Sequence, residues 1–306
     1  MHALNAPGAG PSGPQRSGGS DGSDSSGDDG LELSGPWLSI ASWTVGLDVP
    51  DARVRELLHR SLSGFVRAPP PAGVRCSRLR VVAPSVARPE PMTRELPRPW
   101  REQDGSLRLE GEDYSARLDA DGLRGEVSGT GRFPVEVVLR VMLAAELARR
   151  GGLLVHGVAL MLGETAALFT GHSGAGKSTL GGLWMDAGEA LLSDELVAVW
   201  PEAVEGSWRA SGTPWNLGFP REARLRAVGT LAWDSSSRWE RQRAGDVGRV
   251  LVHNALLSEA SSTGRAALLA SAGRLLSDVE PVRLVFSRDA SAATVVREAL
   301  GVSGHG

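Results

Sequence analysis

Residues Val155–Thr179 read "VHGVALMLGETAALFTGHSGAGKST", and this stretch decides how the rest of the chain is understood. The runs "LLVHGVALML" and "TAALFT" have the composition of two β-strands, separated by Gly163-Glu164, a pair that suits a tight type II′ hairpin turn. With Leu162 facing Thr165, antiparallel pairing carried outward sets His156 opposite Gly171. After the second strand, Gly171-His172-Ser173-Gly174-Ala175-Gly176-Lys177-Ser178 satisfies the pattern G-x-x-x-x-G-K-[ST] in full, with Thr179 opening a helical run. Glycines let backbone N–H groups close around phosphate oxygens, and a helix starting there aims its positive end at the anion. Lys177 is the chain's sole lysine, in a sequence whose other non-histidine cations are all arginine. A compact ammonium follows β- and γ-phosphates in a way a planar guanidinium does not, so this position requires lysine where others accept any cation. Residues Gly171 to Thr179 are therefore the predicted nucleotide-binding loop, with ATP as nucleotide and the Ser178 hydroxyl as a ligand for Mg²⁺.

The segment "STLGGLWMDAG" reads as a short helix ending at Gly188, and "EALLSDELVAVW" as an apolar strand interrupted by Ser193-Asp194-Glu195. Acids delivered from a neighbouring strand would hold a metal or accept a proton from an acceptor hydroxyl, which makes Asp194 and Glu195 candidates beside Ser178. His156 reads equally as a proton-carrying group beside the loop and as a plain strand residue. His172 ranks below it. One cysteine, Cys76, excludes an internal disulfide and any multi-cysteine metal site, which fits a cytoplasmic protein.

In this order of elements the chain resembles the catalytic domain of the HPr kinase/phosphorylase family and its looser serine-kinase relatives. The shared elements are His156-Gly157 on a strand, a hairpin, the loop Gly171–Ser178, a short helix and the acid pair Asp194-Glu195. The resemblance implies an α/β fold with a mixed sheet, of the P-loop type related to ATP-dependent phosphoenolpyruvate carboxykinase. It also implies phosphoryl transfer from ATP to a serine of a protein or peptide, with Asp194 as general base, His156 as its partner, Lys177 stabilising phosphoryl charge, and an oligomeric assembly. "GTPWN", Gly212 to Asn216, resembles a segment of the looser relatives and is also a simple proline turn. The family carries an acid after the first loop glycine, Glu after the loop serine and a second aspartate. Here those positions are His172, Thr179 and Glu195, and "WRASGTPW" stands where a Glu-x-Arg-Gly segment is expected. These differences bear on phosphorylase activity and on a carrier-protein acceptor, and leave nucleotide binding untouched. Two other functions compete: a nucleotide-dependent scaffold that has lost transfer, and a small-molecule kinase. A transporter-type ATPase is disfavoured because no L-S-G-G-Q segment is present.

Outward from this region, residues 131–306 form the predicted kinase domain. "PVEVVLRVMLAAELARRGG" is a helix apolar on most of its circumference, so it packs in a core. "RVLVHNALLSEASSTGRAALLASAGRLLSD" reads as two helices and "PVRLVFSRDASAATVVREAL" as a strand and a final helix. Trp184, Trp200, Trp208 and Trp233 are assigned to packing, and no arginine is singled out. Residues 31–130 form a β-rich region: short strands around "WLSIASWTVGLDV", a helix "DARVRELLHRSL" capped by Asp51, a proline-rich irregular stretch from Ala68 to Trp100, and two or three antiparallel strands in "SLRLEGEDYSARLDADGLRGEVSG". Residues 1–30, rich in Gly, Ser, Pro and Asp, read as a disordered tail. A formal net charge of −3 gives no basic surplus for nucleic acid or an anionic membrane, and no apolar run is long enough to span a bilayer.

Overall fold

Strands β1 (Trp37–Ile40) and β2 (Trp43–Asp48) pair as a hairpin whose turn residues, Ala41 and Ser42, take φ of 52° and 59°. The computed structural model to which these elements belong describes residues 33–84 and 98–301. The predicted tail, residues 1–30, lies outside them, as does part of the proline-rich stretch. Helix α1 (Ala52–Ser61) follows, and the Asp51 side chain caps it by accepting from the Arg53 and Val54 N–H groups, as the sequence predicts. Strands β3 (Val66–Arg67), β4 (Ser77–Val82), β5 (Trp100–Arg101), β6 (Leu107–Glu110), β7 (Tyr114–Leu118) and β8 (Arg124–Gly129) complete a mixed sheet in the order β3-β1-β2-β4-β8-β7-β6-β5. The antiparallel strands expected after Ser106 are β6, β7 and β8. The irregular stretch expected between Ala68 and Trp100 needs correction, because β4 lies within it and pairs in parallel with both β2 and β8. Its alternation is simple: Ser77, Leu79 and Val81 point inward while Arg78 and Arg80 point outward. The prolines flank this strand without interrupting it, and they masked it in the sequence.

Helix α2 (Phe133–Arg149) starts with Pro134 in its first turn and buries Val135, Val138, Leu139, Met142 and Leu147 among others. It is apolar nearly all round because it touches both β7 and β8 of the first sheet and the strands β9 and β12 of the second. The second sheet begins with β9 (Leu153–Leu162) and β10 (Thr165–Thr170), paired antiparallel from Leu162↔Thr165 to Gly157↔Thr170. That is the register read from the sequence, with Gly163 at the turn in positive φ, 57°.

Then come α3 (Lys177–Asp186), β11 (Ala190–Ser193), β12 (Leu196–Pro201), β13 (Trp208–Ser211), β14 (Glu222–Trp233), β15 (Arg238–Arg241), α4 (Ala244–Asn254), α5 (Ser262–Asp278), β16 (Glu280–Phe286) and α6 (Ser291–Gly301). The pairings β14-β10-β9-β12-β13 return to β14 and close a circuit, and β16 and β15 extend from β14. One apolar cluster joins this sheet to α4 and α5 through Leu168, Val228, Leu251 and Leu275. Another joins it to α3 and α6 through Phe169, Trp184, Leu284 and Val296. The chain from Leu33 onward is a single compact unit, a mixed α/β protein with two mixed sheets.

Strand β14 has the greatest consequence for the site. It pairs in parallel with β10 and β16, with Thr170↔Thr230 and Trp233↔Phe286 in register. The segments leaving these three strands therefore gather at one end of the sheet, beyond the carboxyl ends of its parallel strands. Among the described residues no helix is long and apolar enough to cross a membrane.

Candidate functional site

The loop from Gly171 to Gly176 joins the end of β10 to the start of α3. Its path depends on glycine: Gly174 has φ 81° and Gly176 has φ 101°, a region where a Cβ is strained. Gly176 has a second constraint, since a Cβ there would lie 2.5 Å from Trp233 Cζ2 and 2.9 Å from Phe286 Cζ. The Ala175 N–H donates to the His172 carbonyl at 3.1 Å, curling the loop back over its own start. Lys177 is buried, and its Nζ donates to the Gly171 carbonyl at 2.9 Å and the His172 carbonyl at 3.2 Å. Burial lowers its affinity for the proton below the ordinary lysine range. His172, Ser173, Gly174, Ser178 and Thr179 are exposed along the rim, while Gly171 and Ala175 are buried beneath it. The result is a loop of main chain open to solvent on one side, with an ammonium folded against its carbonyls.

The acids reach this loop from a bend, Asp194-Glu195, between β11 and β12, which both pair with β9; the bulge in this pairing falls just before it, between Leu191 and Ser193. The Gly157 N–H donates to the Glu195 carbonyl at 2.9 Å, and the Thr170 hydroxyl donates to the His156 carbonyl at 2.8 Å, so β9 is bonded to the bend and to the end of β10 just before the loop. Helix α3 approaches closely because Gly181 faces the bend: a Cβ there would sit 3.4 Å from Val158 and 3.8 Å from the Asp194 Cβ. Asp194 is buried and held from the far side. Asn216 Nδ2 donates to both of its carboxylate oxygens, at 2.9 and 3.0 Å, and the Leu217 N–H donates to Oδ1 at 3.1 Å. Asn216 takes φ 53°, a conformation asparagine tolerates better than most residues. The turn carrying it is packed too tightly for side chains at its glycines, since a Cβ on Gly218 would fall 1.7 Å from the Thr213 carbonyl oxygen.

His156, on β9 opposite Leu196, is exposed, yet its ring is crowded by protein. That crowding, then the Lys177 ammonium and the Arg140 guanidinium, holds the imidazole below its ordinary range, against the opposing pull of the Asp194 carboxylate. Protonation of this histidine is thus disfavoured beside the loop. Glu195 faces Arg140 of α2, with Oε1 to Nη2 at 3.5 Å. The Arg140 guanidinium lies over the Trp215 ring, 5.2 Å from its centroid, and Arg140 Nε and Trp215 Nε1 are both buried with no hydrogen-bond partner among the described residues.

The structure therefore brings His156, Lys177 and Asp194 within electrostatic reach of one another, and turns Glu195 toward Arg140. Three contributors were not identified from sequence. Asn216 stood in a segment singled out only for its resemblance, although an Asn before Leu-Gly is itself a signal for a left-handed turn position. Arg140 sits in a helix whose apolar character drew attention to packing. Trp233, assigned to the core, is 37% exposed, whereas Trp184 and Trp208 are fully buried.

No family model matches the chain. Over 72 residues it is 42% identical to the HPr kinase/phosphorylase of Neisseria meningitidis (serogroup C and serogroup B strains) and of Neisseria gonorrhoeae. The match covers 22% of this chain and 22% of each relative, so the chain is matched to about a fifth of the relatives' length. Among solved structures, the Hpr(Ser) kinase/phosphatase from Coxiella burnetii aligns with 49% of this chain and 99% of its own at 13% identity, with a TM-score of 0.29, too low for an argument about shared fold.

Proposed function

We propose that this chain is a P-loop kinase, which transfers the γ-phosphoryl group of ATP to a hydroxyl, with a serine of a protein or peptide as acceptor. The observation that carries this reading is the juxtaposition of an open glycine loop, a lysine folded against its carbonyls, and a buried carboxylate fixed by Asn216. Backbone N–H groups of Gly171–Gly176 would take up the phosphate oxygens, and Lys177, now bonded to two carbonyls, would turn its ammonium to the transferring group. The acceptor hydroxyl would give its proton to Asp194. Among the described residues Oδ2 accepts from Asn216 alone, which leaves a lone pair for that proton, while the bonds to Oδ1 hold the carboxylate in place. Neutral His156 would help orient the acceptor oxygen and relay the proton outward.

A divalent cation fits the donor set with one change from the sequence expectation. Among the described residues no group of three or more His, Cys, Asp and Glu side chains could hold a metal. Mg²⁺ in phosphoryl-transfer sites takes few protein ligands and relies on the nucleotide's own oxygens. The exposed Ser178 hydroxyl and the open side of Asp194 suit that role, and the ion would neutralise charge on the phosphates. Glu195, facing Arg140, would act as its counter-ion.

A second reading, nucleotide binding without transfer, is favoured by one observation: the Asn216 amide and the Leu217 N–H already hold the Asp194 carboxylate, as in a structural anchor. Transfer of label from γ-³²P-ATP to proteins and peptides encoded beside this gene separates the two. The kinase reading expects labelled serine, reduced at least a hundredfold in Asp194→Asn, on the scale of losing a catalytic base. ATP-dependent thermal stabilisation without Asp194-dependent turnover would establish the binder instead.

A further inference from the structure

Beside the loop stands a group that the phosphate chemistry does not use. Trp233, the last residue of β14, pairs in register with Phe286, the last residue of β16, and their rings lie 4.3 Å apart at an interplanar angle of 33°. Phe286 is fully buried, and Trp233 is 37% exposed. Over the Trp233 ring lies the guanidinium of Arg288, 4.5 Å from its centroid. Trp233 also forms the wall against which Gly176 is packed. A large exposed indole is costly to leave in water, and here it lies against the backbone of the predicted phosphate loop.

The segments carrying this stack are pinned. Asp289 accepts from the Ser287 hydroxyl at 2.8 Å and the Ser291 N–H at 2.8 Å. The Ser237 hydroxyl accepts from the Ser287 N–H at 3.1 Å and bonds the Ser291 hydroxyl at 2.7 Å. The Asp234 N–H donates to the Phe286 carbonyl at 3.2 Å, and Arg238 bridges to Asp234 at 2.8 Å. The hydrogen bonds to Ser291 and Ser287 keep the Asp289 carboxyl below the usual carboxylate range, consistent with an ionised clamp. The turn after β14 and the turn after β16 are therefore fastened to each other, and the shelf they present is preorganised. Arg288, exposed and without an ion pair among the described residues, is free to lift from the ring.

We propose that this shelf receives the base of the nucleotide: the ring stacks on the outer face of Trp233, and the Arg288 guanidinium closes over its other side. An indole and a guanidinium recognise the π-face shared by all bases, so the shelf selects a nucleoside triphosphate over bare pyrophosphate or polyphosphate and discriminates weakly between adenine and guanine. The position supports this. Phosphates in the loop and a base on Trp233 are joined by the sugar alone, because Trp233 touches the loop at Gly176. The inference rests on the phosphate-loop reading, and its test separates the two.

The test is calorimetric titration of the full chain, with Mg²⁺ present, using ATP, GTP and inorganic tripolyphosphate. Wild type is expected to bind ATP and GTP within a few-fold of each other and both more tightly than tripolyphosphate. Trp233→Leu, which keeps an apolar side chain at a half-exposed position, should lose ATP affinity on the order of 5- to 100-fold, the range for one stacked base, and leave tripolyphosphate binding unchanged. Trp233→Phe should restore most of the loss. ATP binding indifferent to Trp233→Leu would overturn the shelf and leave the loop standing. Equal losses for ATP and tripolyphosphate would show that Trp233 only props Gly176. Binding of none of the three ligands by wild type would remove the loop reading and the shelf with it.

Discussion

The glycine loop and the acid cradle beside it are built in opposite ways. Everything the loop needs lies within Gly171–Lys177: two glycines in positive φ, a curl closed by Ala175, and a lysine that returns to the carbonyls of Gly171 and His172. The cradle draws Arg140 from α2, His156 from β9, Asp194 from the bend between β11 and β12 and Asn216 from a turn, positions far apart along the chain. A local device depends on backbone conformation and tolerates changes elsewhere. An assembled one depends on strand β9, the bend after β11, the turn after β13 and helix α2 keeping their places, and it fails when any of them shifts. The two parts should therefore respond differently to mutation.

The largest separation is expected at Asn216. Asn216→Ala and Asn216→Gly both remove the side-chain bonds to Asp194, and both should lower phosphoryl transfer by on the order of a hundredfold while ATP binding stays near wild type, since a carboxylate displaced by about an ångström costs about that much. They differ in stability: the alanine variant must hold a Cβ at φ 53° and should melt several degrees below the glycine variant, for a strain of about 1 kcal/mol. Steady-state kinetics and thermal melts check both. If Asn216→Ala weakened ATP binding as much as transfer, loop and cradle would not be separate parts.

A smaller effect is expected with pH. The folded His156 releases its proton more readily than the unfolded chain does, so between its lowered value and about 6.5 the unfolded state binds more protons. Stability should rise as pH climbs through that window and fall as it drops. His156→Gln should flatten this part of the profile. Arg140→Met removes one of the two positive charges that oppose protonation, so the ring's titration, followed by NMR, should move upward. A midpoint unmoved by Arg140→Met would place that arginine outside the cradle.

The same contrast explains what the sequence disclosed. The hairpin register and the path of the loop are contiguous, and each follows from local rules: a Gly-x turn fixes pairing, and glycines in positive φ turn the chain from strand into helix. The capped helix α1 and the antiparallel β6–β8 were legible for the same reason. Strands β4 and β14 were not, because both alternate arginine with apolar residues, and in so arginine-rich a chain those side chains read as surface charge before they read as a two-residue period. Missing β14 hid the parallel core of the second sheet, and with it the fact that Trp233 ends beside Gly176. Asn216 carried a turn signal, but its role could be reached only through its contact with Asp194, which joins residues 22 apart in sequence.

The most direct measurement is the affinity of the full chain for ATP before and after Lys177→Ala. The variant removes the buried ammonium and leaves the rest of the loop and the cradle in place. A loss of at least tenfold in affinity, or loss of the ATP-linked rise in melting temperature, is the expected result, since hydrogen bonds from a charged donor contribute about 1.5–3 kcal/mol. Identical affinity and an identical thermal shift in the two proteins would contradict phosphate recognition by this loop.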